Sequence, residues 1–219
     1  MSEKIRVLIS EPLSPRAEEI LAGAEGFEVI NKPGLPREEL LELVCECDAL
    51  LVRSATKVDE EFLGAGGRLK VVARAGIGVD NIDLAMASLK GILVINAPDG
   101  NIITTAEHTI AMMFAMARKI PMAVHSVKCG LWERNKFVGS ELHSKVLGVV
   151  GLGRVGSTVA RLAAGLEMNV IAYDPFISAG AAEKRGVKPV TLDELLAQSD
   201  YVTLHVPKTP ETAGLIGAA

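Results

Sequence analysis

The sequence predicts an α/β protein built from two parallel-sheet units. Short, continuously apolar runs alternate with helical segments through the first hundred residues, and a second series of the same kind starts at Val146. Strands that are apolar throughout suit a sheet covered on both faces, and helical crossovers are what parallel neighbours require. A glycine-rich turn, Gly151 to Gly156, follows the first strand of the second series.

Taken in order, "IRVLIS" (5–10) is the first strand. Ser14 then caps a helix with Pro15 in its first turn, where the missing N–H is harmless. "FEVIN" (27–31) is the next strand, and "PREELLELVCEC" (36–47) reads as a helix with Leu40, Leu41 and Val44 on its apolar face and with Cys45 and Cys47 inside it. "ALLVRS" (49–54), "KVVARAG" (70–76) and "ILVINAP" (92–98) continue the strand series. "NIITTAEHTIAMMFAMARKI" (101–120) is helical and apolar around nearly its whole circumference, so burial on several sides is expected, between domains or against another subunit. Pro121 is expected to end or kink it. Residues 121–145, with Trp132 and one short helical stretch, read as a linking arm. In the second series, strand "VLGVV" (146–150) leads to helix "RVGSTVARLAAGL" (154–166) and strand "NVIAYD" (169–174). Thr191 and Glu194 form a capping box opening the helix "LDELLAQ", and "YVTLHVP" (201–207) is the last strand before a turn-like end. The expected organisation is a first domain over 1–98, a linking helix and arm over 99–145, and a second domain over 146–219.

Composition narrows the function. The 219 residues, 49% of them hydrophobic, supply a core for one large domain or two modest ones. The net charge of −4 carries no basic excess, so neither nucleic acid nor an anionic membrane is expected as a partner, and a small molecule is. "MSEKIRVLIS" lacks the apolar core and cleavage site of an export signal. The apolar stretch "IAMMFAMA" is far shorter than the roughly 20 residues that span a bilayer. Cys45, Cys47 and Cys129 form an odd set without metal-ligand spacing, and the four histidines are scattered. Reduced thiols, no metal site and a cytoplasmic location are the expectation.

A lone G-x-G-x-x-G is weak evidence, but Gly151-Leu-Gly153-Arg-Val-Gly156 follows a strand, opens a helix and precedes Asp174 at the end of the next strand. Gly151 permits the tight turn, Gly153 lets the backbone approach a pyrophosphate, and Gly156 allows close helix–strand packing. The amides of Arg154 and Val155 then lie at a helix N-terminus, which favours an anion. Asp174, 18 residues after Gly156, stands where a carboxylate accepts hydrogen bonds from the adenosine ribose and repels a 2′-phosphate. This is a Rossmann fingerprint, and it selects NAD over NADP. A ligand-free structural turn and FAD are the alternatives it allows.

Several strings together carry a more specific signal: "LLVRSATKV" (50–58), "VVARAGIGVDNIDLA" (71–85), "INAPDGNIITTAEHTIAMMFAMARKIP" (95–121), "GLWERNKFVGSELHSKVLGVVGLGRVG" (130–156) and "VIAYDPF" (170–176). Through them the chain resembles the D-isomer-specific 2-hydroxyacid dehydrogenases over essentially its whole length. The resemblance implies a flavodoxin-like parallel-sheet substrate domain followed by an incomplete Rossmann NAD-binding domain. It places Arg53 and Ser54 at the charged end of the substrate, and Arg74 to Gly78, Gly76 among them, in a turn facing substrate and nicotinamide. An arginine fork and backbone amides suit carboxylate and phosphate, although strand-end surface charge is the plainer reading of Arg53 and Arg74. Ile77 matches a position beside the cofactor, and His205, Val206 and Pro207 match the segment lining its adenosine side. Asn101 matches a polar residue near the substrate, with a helix N-cap as the alternative, and His205 alone reads equally as an ordinary strand-end histidine.

The family's substrate-orienting arginine, glutamate and proton-exchanging histidine have no matching positions here, so no catalytic residue is assigned and the chain by itself is not expected to turn over. The implied partners are a 2-hydroxy acid or 2-keto acid and, in the full-length form, a second copy in a homodimer. Oxidation of 3-phosphoglycerate, the entry to serine synthesis, leads among the implied reactions. Reduction of glyoxylate or hydroxypyruvate, another D-2-hydroxy acid, and a non-catalytic NAD-sensing or corepressor-like module are the alternatives.

Overall fold

A computed structural model describes residues 3–217. The chain divides into two compact units, Met1–Asn101 and Ile102–Ala219.

The first unit holds five strands, β1 (Ile5–Ile9), β2 (Phe27–Asn31), β3 (Ala49–Val52), β4 (Val71–Arg74) and β5 (Leu93–Asn96), with helices α1 (Pro15–Ala22), α2 (Arg37–Val44), α3 (Glu60–Ala65) and α4 (Leu84–Leu89) between them. All pairings are parallel, in the order β2-β1-β3-β4-β5, which is the flavodoxin-like order. Val7 aligns with Val29 on one side and Ala49 on the other, and Leu50 aligns with Val72. Leu8, Leu50, Val52 and Val72 from the sheet meet Leu40, Val44, Phe62 and Leu63 from α2 and α3 in one buried cluster. The helices start where side chains satisfy free amides: Ser14 accepts from Ala17, Asp59 from Phe62 and Asp83 from Met86.

One expectation is corrected here. Cys45 and Cys47 lie beyond α2, not inside it, because the helix stops at Val44. The amide of Asp48 bonds the Arg6 carbonyl at 2.9 Å, so the chain is already entering the sheet, and Cys47 turns into the core. All three cysteines are free thiols.

The second unit begins with α5 (Ile102–Ala117) and α6 (Ile120–Lys128), followed by a 3-10 turn at Arg134–Phe137. Then come β6 (Val146–Val150), α7 (Arg154–Gly165), β7 (Asn169–Tyr173), α8 (Ala179–Glu183), the two-residue β8 (Lys188–Pro189), α9 (Leu192–Gln198) and β9 (Tyr201–Leu204). The parallel order β8-β7-β6-β9 is the 3-2-1-4 arrangement of a dinucleotide-binding fold. Thr191 and Glu194 make the capping box expected of them.

The long helix is shorter than expected. It ends at Ala117, and the chain reverses at Lys119 with φ of 51°, while Pro121 sits in the first turn of α6. Pro121 has no N–H to return to the Ala117 carbonyl, and its ring would clash there, so α5 cannot run through it. The amide of Ser140 takes that carbonyl instead, at 2.9 Å. On this helix Ala106, Met113 and Ala117 pack with Val159, Ala160 and Ala163 of α7, whereas Ile103, Met112 and Met116 are exposed. Among the described residues no helix is long and apolar enough to cross a membrane.

Candidate functional site

The glycine loop is shaped by what a side chain would hit. After β6 the chain turns at Gly151 with φ of 90°, a conformation open to glycine. A side chain there would also lie 2.7 Å from the His205 carbonyl oxygen and 2.8 Å from Val206 Cγ1. At Gly156 a Cβ would overlap the Gly151 carbonyl oxygen, so only glycine lets α7 pack onto the turn. Gly153, the N-cap of α7, is different: a Cβ there would meet nothing within 4 Å. The backbone is therefore open on the side where the amides of Arg154 and Val155 begin the helix. Beside it lies a cavity of about 630 Å³ lined by Gly153, Ser157 and Thr158 together with the cations Arg154, Arg161, Lys184 and Arg185. The Arg185 guanidinium donates to the Leu152 carbonyl at 2.5 Å and to Ser157 Oγ at 3.0 Å, tying the end of α8 to the loop. A helix N-terminus, an unobstructed glycine and four lining cations give this side of the loop the sign that favours an anion.

Asp174 follows β7, and its carboxylate accepts the Leu152 amide at 2.8 Å through Oδ2 and the Phe176 amide at 2.9 Å through Oδ1. It thus holds the loop while each oxygen keeps a lone pair for a ribose hydroxyl. At the end of β9, the His205 amide bonds the Val150 carbonyl at 2.8 Å, and its Nε2 lies 3.0 Å from the Thr203 hydroxyl. Burial lowers the His205 pKa, which favours the neutral ring at pH 7. Val206 abuts Gly151, and Pro207 follows, its carbonyl accepting from the Thr212 hydroxyl at 2.6 Å. Gly151, Gly153, Arg154, Val155, Gly156, Asp174, His205 and Val206 are thus gathered at the carboxyl ends of β6, β7 and β9, where the strand order reverses and such sheets bind ligands. The residues present fit NAD.

In the first unit, Arg53 and Ser54 are exposed on the bend that follows β3. The Arg74 guanidinium is turned to Asp80, with Nη1 2.6 Å from Oδ1, and its buried Nε has no partner among the described residues. The Gly76 carbonyl accepts the Ala97 amide at 3.0 Å, and the Ile77 carbonyl accepts from the Asn96 side chain at 2.6 Å, so that turn is tied to the end of β5. Asn81 joins the two segments, donating to the carbonyls of Arg53 and Thr56. Asn101 is exposed in the turn leading into α5. Glu11, Asp80, Asn81 and Arg185 carry no local signal in the sequence: Glu11 bonds an amide 42 residues away, Asn81 a carbonyl 25 away and Arg185 a carbonyl 33 away, and Asp80 meets a guanidinium six residues back.

Residues 110–219 match the family described as D-isomer specific 2-hydroxyacid dehydrogenase, NAD binding domain. A D-3-phosphoglycerate dehydrogenase of Archaeoglobus fulgidus is 55% identical over 213 residues, covering 97% of this chain and 40% of that protein. The chain thus spans about 40% of the length of this curated relative. Among solved structures, a Thermus thermophilus protein superposes with a TM-score of 0.88 at 32% identity, over 96% of this chain and 68% of its own. An NAD⁺-bound 3-phosphoglycerate dehydrogenase of Entamoeba histolytica does so at 0.78 and 33% identity, over 95% and 65%.

Proposed function

The chain belongs to the D-isomer specific 2-hydroxyacid dehydrogenase family, and from that premise we propose that it serves the NAD-dependent oxidation of 3-phosphoglycerate to 3-phosphohydroxypyruvate. The observation that carries this reading is the 55% identity to a protein named D-3-phosphoglycerate dehydrogenase, extending over the exposed bend as well as the glycine loop.

In this reading the amides of Arg154 and Val155 hold the pyrophosphate, Gly153 leaves it room, and Asp174 accepts from the adenosine ribose. His205, Val206 and Pro207 line the adenosine side. NAD, when bound, supplies the hydride acceptor. Arg53 and the Ser54 amide take the anionic groups of the substrate, for which a guanidinium fork and backbone N–H groups are suited. Asp80 keeps Arg74 from rotating away from the Gly76 turn, and Asn101 supplies a polar group near the substrate. No residue of this chain is assigned the exchange of the hydroxyl proton. Free thiols support a cytoplasmic setting, and the exposed Met122, Val124, Val127 and Trp132 support a homodimer.

The test is binding by the purified chain. NADH fluorescence is expected to titrate saturably, and 3-phosphoglycerate is expected to bind more tightly than D-lactate. Equal affinity for lactate would overturn the phosphoglycerate assignment, and no response to NADH would overturn the cofactor site.

A further inference from the structure

The bend from Arg53 to Thr56 is gripped through its backbone from two directions. Glu11, just past β1 and only 8% exposed, turns its carboxylate onto it. Oε1 accepts the amides of Arg53 at 2.8 Å and Thr56 at 2.9 Å, and Oε2 accepts that of Ala55 at 3.0 Å. Opposite, Asn81 Nδ2 donates to the carbonyls of Arg53 at 3.0 Å and Thr56 at 2.7 Å. Ser10 Oγ adds contacts to the Leu51 carbonyl at 3.3 Å and the Thr56 hydroxyl at 2.9 Å. Of the four amides in the bend, Glu11 leaves only that of Ser54. Among the described residues, neither that amide, nor the Ser54 hydroxyl, nor the Arg53 guanidinium has a partner.

A carboxylate removed from water persists in charged form only where several donors compensate. Burial acts to raise the Glu11 pKa, and the amides of Thr56, Ala55 and Arg53 outweigh it, so the group titrates below the ordinary glutamate value. Position gives a second, independent argument. The strand order reverses between β1 and β3, so Glu11 and Arg53 occupy the carboxyl ends at the switch point of the sheet, the crevice in which such sheets bind ligands.

We propose that Glu11, with Asn81 opposite it, is the positioning residue of an anion-binding turn. By drawing three amides inward it leaves the Ser54 N–H and the Arg53 guanidinium for the carboxylate or phosphate of the substrate. The inference rests on the assignment of this bend to the substrate.

Amide NMR on the full ¹⁵N-labelled chain tests it. In the wild type, the amides of Arg53, Ala55 and Thr56 are expected to exchange slowly with solvent and that of Ser54 quickly; uniform exchange across the four overturns the proposal. Adding 3-phosphoglycerate is expected to shift the Ser54 resonance, and Arg53→Ala to abolish that shift while leaving the Ala55 and Thr56 resonances in place. Glu11→Gln keeps the size but sets an NH₂ donor against an amide donor. It is expected to move all three amide resonances and to weaken the ligand at least about tenfold, the equivalent of one displaced charge-assisted hydrogen bond. Affinity unchanged in Glu11→Gln overturns the proposal and leaves the substrate reading standing. No Ser54 shift in the wild type overturns both. Should Glu11→Gln not fold, Asn81→Ser decides: it is expected to weaken the ligand several-fold, and wild-type affinity overturns the proposal.

Discussion

Gly153, the N-cap of α7, and Gly156 in its first turn stand three residues apart and are required for different reasons. At Gly156 an added methyl overlaps the Gly151 carbonyl oxygen, a backbone atom that cannot swing aside. Gly156→Ala is expected to cost about 1–3 kcal/mol through overpacking, read as a lowered thermal midpoint. At Gly153 the same methyl meets no atom within 4 Å, and φ of −67° accommodates alanine. Gly153→Ala is therefore expected to melt like the wild type and to bind NADH about tenfold more weakly, because the methyl fills the approach of the pyrophosphate. Wild-type NADH affinity in Gly153→Ala would remove the pyrophosphate from this loop. Asp174 joins structure and selectivity in one side chain. Asp174→Asn sets an amide donor against the N–H of Leu152 or Phe176 and removes the charge that repels a 2′-phosphate. The ratio of NADPH to NADH affinity is expected to rise, and an unchanged ratio would mean that selectivity lies elsewhere.

The junction of β1 and β3 is an element held by carboxylates. Asp48 accepts the Arg6 amide at 3.0 Å, and Glu11 accepts three amides of the bend. The Arg6 amide and the nearby Arg68 hold Asp48 below its ordinary pKa, against its desolvation, and the bend amides do the same for Glu11. Groups with lowered folded-state pKa values contribute stability that is present in full above their unfolded values, about 4 for both residue types, and that is lost as pH falls through the folded values. Thermal melts are expected to decline gently below about pH 6.5, where the unfolded chain protonates His205 and the folded one resists it, and to fall steeply below about 4, with a shallower acid limb in Glu11→Gln. An acid limb identical to the wild type would show that Glu11 contributes nothing to it. The same junction marks where the sequence stops being legible. Apolar runs announced the longer strands, and caps such as Ser14 and Thr191 announced helices, because those signals are local. The bond from Arg53 to Glu11 joins residues 42 apart, and no local pattern encodes it. Short elements were equally silent: α8 is AGAAE, without apolar periodicity, and β8 has two residues. The glycine loop was readable because its steric constraints fall on Gly151 and Gly156, five residues apart and so within one local pattern. The substrate bend was readable only through resemblance, since its exposed arginine and serine have no pattern of their own.

On the scale of the molecule, two of the apolar surfaces of the second unit suggest different modes of association. One is the outer face of α6 and the segment after it, with Met122, Val124, Val127, Leu131 and Trp132 exposed, Trp132 by 83%. The other is a groove of about 750 Å³ lined by Met112 and Met116 of α5, Val138 and Val202, bordering the edge strand β9. An unpaired edge strand invites pairing with another chain, whereas a stable dimer seats a broad side-chain surface of more than about 1,000 Å². The two modes differ in what they do to the sole tryptophan. Association through α6 covers Trp132, so its emission is expected to shift to shorter wavelength as protein concentration rises through the dimer constant measured by sedimentation. Val127→Lys places a charge in that face and is expected to hold the chain monomeric with red-shifted emission at all concentrations, while Val202→Lys leaves both readouts as in the wild type. If instead Val202→Lys abolishes association and Trp132 emission is independent of concentration, the edge of β9 is the contact. The homodimer assigned to the α6 face would then be withdrawn, because a strand-edge contact leaves the indole in water.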